Sequence, residues 1–221
     1  MAMPDEVIFL LDVDNTLLDN DLFQKNLLTH LEREFGAQSR IRYSAILEEI
    51  RAELGYVDYL GAMQRYRLAN LDDPRLFAMS AYLIDYPFAD LLYPGADETI
   101  AHLGRSGRTV ILSDGDAIFQ PRKIQRSGLA QMVADRVLIY VHKEQMLDDV
   151  ARHYPAQRYV MVDDKLRVLD AMKAIWGDRL TTVFVRQGHY AFDPDSIARY
   201  QPADISVAHI GDLAGHDFFA A

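Results

Sequence analysis

The 221-residue chain contains no cysteine. Disulfides, zinc–thiolate sites and cysteine nucleophiles are therefore excluded. Long apolar runs are also missing. The stretch "VIFLLDVDNTLL" is broken by acids, and no run reaches the roughly 18–20 residues that span a bilayer. The N-terminus shows no basic region followed by a cleavage site. The expectation is a soluble, cytoplasmic protein with no membrane partner. Positive charge is scarce: 23 Lys and Arg stand against 33 Asp and Glu, a net charge of −10. Such a chain offers no basic face for a phosphate backbone, so no nucleic-acid partner is expected. The excess acid reads as solubility. Lysines number only five, at positions 25, 123, 143, 165 and 173. None of the seven histidines has metal-ligand spacing, and the single tryptophan, Trp176, reads as core. There is no internal repeat, low-complexity tract or long Pro/Gly/Ser linker.

Half of the residues are hydrophobic, enough to fill one sizeable domain or a core with a smaller attached unit. Val7–Val13 is a short apolar run with β-branched and aromatic content, and reads as a buried strand. From about residue 22 to 86 the pattern changes. "LFQKNLLTHLEREFG", "YSAILEEIRAELG" and "YLGAMQRYRLANL" carry apolar residues three and four apart, with Gly36 and Gly55 where helices would stop. Beyond Pro94-Gly95 the chain alternates. A helix over Ala96–Leu103 is followed by a loop between Gly104 and Gly107 and a strand "TVILS" ending at Ser113. Then come a helix over Gln120–Ser127, the strand "RVLIYV", a helix over Glu144–His153, the strand "RYVMVDD", a helix over Leu166–Trp176, and the strands "LTTVFVR" and "ADISVAHI". Strands separated by helices imply an α/β fold, a doubly wound parallel sheet with helices on both faces. The expected organisation is a core of residues 1–19 and 88–221, interrupted once by a helical insert over 20–87.

Ligands of an open parallel sheet bind beyond the carboxyl ends of its strands. Those ends carry Asp12 and Asp14, Ser113 and Asp114, Lys143, and Asp163 and Asp164. Any one acid there could cap a helix or make a turn; the full set is harder to explain that way. Two carboxylates closing an apolar strand repel, and burying either unpaired is costly. Converging carboxylates suit a hard cation, and Mg²⁺ takes one or two of them together with substrate phosphate and water. An ionised Asp can be a nucleophile, a second carboxyl can move protons, and an ammonium can balance phosphate charge. Ser113 and the amides after it could hold a phosphoryl oxygen, with Gly115 allowing close backbone approach.

The ordered set "DVDNT", "ILSDGD", "VHK" and "VMVDDK" resembles the haloacid dehalogenase-like hydrolase superfamily, over about residues 7–213. The resemblance implies a Rossmann-like core with an inserted helical cap. It implies Asp12 as nucleophile, Asp14 as general acid and base, and Lys143 as the motif lysine. Thr16, Ser113, Asp114 and Gly115 would form the phosphate-binding side. Asp12, Asp14, Asp164 and Asp163 would form the Mg²⁺ side, with the Val13 carbonyl contributing.

Three positions depart from the family pattern. Asn15 stands where glycine is usual, at a position that often needs positive φ. Glu144 follows the lysine in place of proline. The later acid is missing at Val168 and Leu169, and Asp170 reads as helix surface. Lys143 is preferred to Lys123, which reads as a solvated helix face; Lys165 reads as a local charge partner of the acid pair.

Asp14 and the acid pair favour phosphate-ester hydrolysis over carbon–halogen cleavage, because a halide leaves without a proton and its substrate needs no Mg²⁺. The expected activity is Mg²⁺-dependent hydrolysis of a small phosphorylated metabolite by a monomer or homodimer. A 2-haloacid dehalogenase, a phosphoglucomutase-like phosphoryl mutase and a non-catalytic phosphate-binding module are the alternatives. The helical insert would close over the site, with hinges at Asn20–Asp21 and Asp85–Leu92. Its cluster Tyr56, Tyr59, Arg65, Tyr66 and Arg67 reads as aromatic packing with solvated arginines, ahead of a substrate-binding surface. Four acids facing one lysine imply weak phosphate binding without metal.

Overall fold

A computed structural model describes residues 5–68 and 75–218. The sheet-forming signal at the start of the chain produces β1 (Asp5–Leu11). Its alternate residues serve two cores: Val7, Phe9 and Leu11 pack on one face, Ile8 and Leu10 on the other. Burial on both faces is why this strand reads as a continuous apolar run.

Four helices follow: α1 (Asn20–Phe35), α2 (Ala37–Leu54), α3 (Tyr59–Leu68) and α4 (Leu76–Asp85). Asp19 starts α1 by accepting from the Leu22 N–H at 2.8 Å. Gly36 (φ 91°) and Gly55 (φ 79°) end α1 and α2, as the sequence suggests. The "ANL" that ends the third helical pattern lies outside the described residues, as do residues 1–4 and 219–221 of the expected core.

The remainder alternates: α5 (Ala96–Ser106), β2 (Arg108–Asp114), α6 (Phe119–Arg126), a short α7 (Leu129–Met132), β3 (Val137–Tyr140), α8 (Leu147–His153), β4 (Ala156–Asp163), α9 (Leu166–Trp176), β5 (Leu180–Val185), α10 (Pro194–Arg199) and β6 (Ile205–Val207). The six strands form one sheet in the order β3-β2-β1-β4-β5-β6, with every pairing parallel. This is the expected doubly wound α/β architecture. The strand order reverses at β1, so the crevice of such a sheet opens at the end of β1.

Two local expectations fail. Gly104 lies inside α5 and starts no loop, because the buried stripe Ala96, Thr99, Ile100 and Leu103 carries the helix on to Ser106. The helix expected from Glu144 is split into a 3₁₀ turn over Lys143–Gln145 followed by α8. The Asp114 carboxylate accepts the Lys143 N–H at 2.7 Å and fixes the chain there.

The insert meets the core through rings. Phe23 of α1 packs against Tyr59, Tyr86, Phe88 and Phe119 with centroids 5.0 to 5.5 Å apart. Trp176 stacks on Tyr159 at 4.1 Å, within the core as expected. No helix among the described residues is long and apolar enough to cross a membrane.

Candidate active site

The site begins where β1 ends. Asp12 is buried. Its Oδ1 accepts from Lys143 Nζ at 2.5 Å and its Oδ2 from the Thr16 hydroxyl at 3.3 Å. Val13 turns its side chain into the core. Its carbonyl accepts from the N–H groups of Thr16, Leu17 and Leu18 at 3.3, 3.0 and 2.9 Å. That oxygen is spent on the turn, so the expectation that it serves a metal is corrected.

Asn15 has φ 61°, the left-handed conformation inferred for its position. Its side chain borders the cavity and ties the loop to the insert. Oδ1 accepts from the N–H groups of Asn20 and Asp21 at 3.0 and 3.1 Å, and Nδ2 donates to Asp21 Oδ1 at 3.0 Å. Asp21 in turn accepts from the His189 N–H at 2.8 Å. Burial works against this carboxylate, but the His189 and Asn15 hydrogen bonds hold its pKa below the ordinary range.

The acids expected to share a metal divide three to one. Asp12, Asp163 and Asp164 are buried, with ligand atoms within 4.8 Å of one another. Lys143 Nζ lies 2.7 Å from Asp163 Oδ2, and Asp163 Oδ1 accepts the Lys165 N–H at 2.8 Å. Neither oxygen of Asp164 has a hydrogen-bond partner among the described residues. A fully buried carboxylate left in this state is expensive. Burial pushes its pKa well above the usual range, and Asp163 and Asp12 push the same way against Lys165. Burial raises Asp163 too, against the pull of Lys143. Burial alone would lower the Lys143 pKa, yet Asp12, Asp163 and Asp114 hold it above its ordinary value. Three carboxylates, one of them unpartnered, fit a hard cation such as Mg²⁺.

The Asp14 carboxylate lies outside this triad, which corrects its placement as a side-chain metal ligand. The electrostatic reason is Lys123. Its Nζ donates to Asp14 Oδ1 at 2.7 Å and to Asn20 Oδ1 at 3.0 Å. Lys123 is only 1 % exposed, so its reading as a solvated helix face is overturned. Burial works against the charge of Lys165, but Asp164, Asp12 and Asp163 hold its pKa up, and its ammonium sits 4.9 Å from the Tyr190 ring centroid. Four acids therefore face three lysines, and the expected charge imbalance is smaller than the sequence implied.

At the end of β2, Ser113 is buried and its Oγ accepts from Gln120 Nε2 at 2.9 Å. Asp114 borders the cavity, but one of its oxygens is committed to the Lys143 N–H. Burial raises the Asp114 pKa to about 6, even though Lys143 opposes the shift. The Gly115 N–H donates to the Tyr140 carbonyl at 2.9 Å. This amide is not free for a phosphoryl oxygen, which corrects the expected role of Gly115. Glycine fits there for another reason: a Cβ would lie 2.5 Å from the Gln120 Cβ.

A cavity of about 340 Å³ opens over Asp14, bordered by Tyr56, Tyr59, Gln120, Lys165 and Arg199. The basic–aromatic cluster of the insert divides around it. Tyr56 and Tyr59 border the cavity, whereas Arg65 pairs with Glu53 at 2.5 Å and the Tyr66 hydroxyl donates to Ser39 Oγ at 2.8 Å. His142 sits beside Gly55 of the insert, where a Cβ would lie 3.2 Å from its Cε1. Gln120 and His189 are not among the sequence candidates, and Lys123 enters there only as the rival set aside for Lys143. Gln120 and Lys123 share one face of α6 at a spacing of three, and that spacing after a strand-end serine was the available signal. His189 gave none.

Residues 7–175 match the family model for haloacid dehalogenase-like hydrolases, and the chain belongs to that family. It is 62 % identical to a haloacid dehalogenase-like hydrolase from Burkholderia xenovorans LB400 known from a crystal structure, with a TM-score of 0.92 over 97 % of this chain and 100 % of that one. More distant structures share the fold. A dehalogenase is 21 % identical over 94 % of this chain and 95 % of its own, with a TM-score of 0.59. CbbY from Rhodobacter sphaeroides, in complex with phosphate, is 18 % identical over 95 % and 96 %, also with a TM-score of 0.59. No curated protein matches the chain.

Proposed function

We propose that the protein is an Mg²⁺-dependent phosphomonoester hydrolase acting on a small phosphorylated metabolite. The observation that carries this reading is Asp164, which lies next to Asp12 and Asp163 and whose two buried oxygens have no hydrogen-bond partner among the described residues. Asp12, Asp163 and Asp164 would hold the cation. When bound, it would neutralise the triad and screen phosphate charge.

The chain's own residues supply the rest. A carboxylate oxygen of Asp12 attacks phosphorus while Lys143 and Thr16 fix the group. The bond from phosphorus to the ester oxygen breaks, leaving an aspartyl-phosphate. Asp14 gives its proton to the departing oxygen, then accepts one from the water that hydrolyses the acyl phosphate. In this reading Ser113 and Lys165 would receive phosphoryl oxygens; Lys165 borders the cavity. The helical insert, residues 20–87, acts as a cap: Asn20, Tyr56 and Tyr59 close the cavity over Asp14 and exclude water.

The presence of Asp14, held by an ammonium and poised over the cavity, favours a leaving group that needs a proton, an alcohol oxygen and not a halide. The test is turnover of an aryl phosphate with and without Mg²⁺, compared with Asp12→Asn. Mg²⁺-dependent turnover lost in the variant is expected. Turnover indifferent to metal, or intact in Asp12→Asn, rejects the proposal. Halide release from a 2-haloacid without metal would establish dehalogenation instead.

A further inference from the structure

The family motifs account for Lys143, but a second ammonium is buried in the same site. Lys123 extends from α6 between the rings of Phe119 and Tyr59, with Nζ 5.3 and 6.0 Å from their centroids. It has one acceptor on each side of the crevice: Asp14 Oδ1 in the loop after β1, and Asn20 Oδ1 at the first residue of α1. One turn earlier on α6, Gln120 Nε2 donates to Ser113 Oγ at 2.9 Å and lies 3.4 Å from Asp14 Oδ2. The two oxygens of Asp14 are thus unequal. Oδ1 is held by a buried cation, and Oδ2 has only the long amide contact.

We infer that Lys123 is the positioning residue for the proton-transferring carboxylate: it pins Asp14 through Oδ1, leaves Oδ2 to carry the proton, and ties that placement to the insert through Asn20. The inference rests on the phosphohydrolase reading. In the first step the proton on Asp14 Oδ2 passes to the ester oxygen as its bond to phosphorus breaks. In the second, water gives a proton to the same Oδ2 as its oxygen bonds to phosphorus and displaces Asp12. Lys123 itself gains and loses nothing. A burial this complete, without a carboxylate to meet, would favour an apolar side chain at position 123. A surface packing role would not need the charge.

Leaving-group dependence tests it. A dinitrophenolate leaves without a proton, whereas an alkoxide does not. Single-turnover release of the leaving group is measured with Mg²⁺ for an alkyl phosphate and for dinitrophenyl phosphate, in wild type, Lys123→Met, Asp14→Asn and the double variant. Lys123→Gln is measured alongside, in case the methionine variant does not fold. Lys123→Met is expected to slow the alkyl ester by about 100-fold or more and dinitrophenyl phosphate by less than about threefold. The double variant is expected to be no slower than Asp14→Asn, since positioning is worthless once the proton is gone. Mg²⁺ affinity by calorimetry is expected to stay within about twofold, because the acid triad is separate. Equal losses on both substrates, or losses that multiply in the double variant, overturn the inference while leaving the hydrolase reading intact. A wild type that hydrolyses neither ester with Mg²⁺ removes that reading, and this inference with it.

Discussion

Gly188 approaches the Asn15 side chain so closely that a Cβ on the glycine would lie 2.4 Å from the Asn15 Cβ. Gly188 also has φ +67°, so two separate reasons require glycine there. Alanine at this position should cost about 1–3 kcal/mol. It should also push Asn15 off the start of α1. A lowered urea midpoint together with faster proteolysis near residues 15–21 is the expected outcome; unchanged values for both would contradict it.

Asn15→Gly tests the same junction from the other side. Glycine is the usual family residue and adopts φ 61° without strain, so the turn should survive. The hydrogen bonds to Asn20 and Asp21 disappear. A loss of about 1–2 kcal/mol in stability is expected, readable by urea denaturation, with the first turn of α1 exchanging amide hydrogens faster.

Asp164→Asn should make the metal-free protein more stable at pH 8. Burial raises the folded-state pKa of Asp164. As pH rises above the ordinary carboxylate range, the unfolded chain releases the proton that the folded chain retains, and stability falls. Asparagine removes that penalty, and the difference from wild type should vanish near pH 4. Mg²⁺ should raise the Tm of wild type and leave Asp164→Asn unmoved. A variant less stable at pH 8, or still stabilised by Mg²⁺, would refute the assignment of the triad.

Asp114→Asn gives a pH window with a stated end. The folded pKa is about 6 against an ordinary value of 3.8. The variant should match wild type below about pH 4, gain relative stability as pH rises to 6, and keep a constant advantage above it. The upper bound is about 3 kcal/mol. The amide oxygen can still accept the Lys143 N–H, so the turn is preserved. Urea midpoints at pH 4 and pH 8 check it.

Lys143→Met leaves Asp12 and Asp163 buried without their shared cation. A destabilisation of about 3–5 kcal/mol at pH 8 is expected. Mg²⁺ should recover part of the stability and none of the hydrolysis. Full recovery of hydrolysis by metal alone would show that Lys143 has no role in the reaction.

The sheet was legible from sequence because buried parallel strands are written as apolar runs. Residues 7–11 and 159–162 are buried throughout, and nothing polar interrupts them. The residues at the strand ends were legible for the same reason, as abrupt polar stops. What each polar atom does was not. Val13 and Gly115 lie in the right loops, yet their carbonyl and N–H are consumed by local hydrogen bonds. Backbone partners depend on turn geometry, and composition does not record it. Lys123 was misread because a lone lysine among polar helical neighbours looks solvated. Its acceptors, Asp14 and Asn20, come from a distant part of the chain, and only tertiary packing brings them to it.

The central position of β1 has a consequence for how the chain reaches this state. Phe9 is paired with Thr109 on one side and Val160 on the other. This buried central strand is therefore made long before either neighbour, with the whole insert synthesised before β2. Parallel pairings this remote carry a large loop-closure cost, slow folding and leave hydrophobic edges exposed to other chains meanwhile. A chain cut short before β4 would have β1 open along one edge and lack Asp163 and Asp164. Assembly of the acid triad and completion of the sheet are one event, so partly made protein should be both inactive and prone to aggregate.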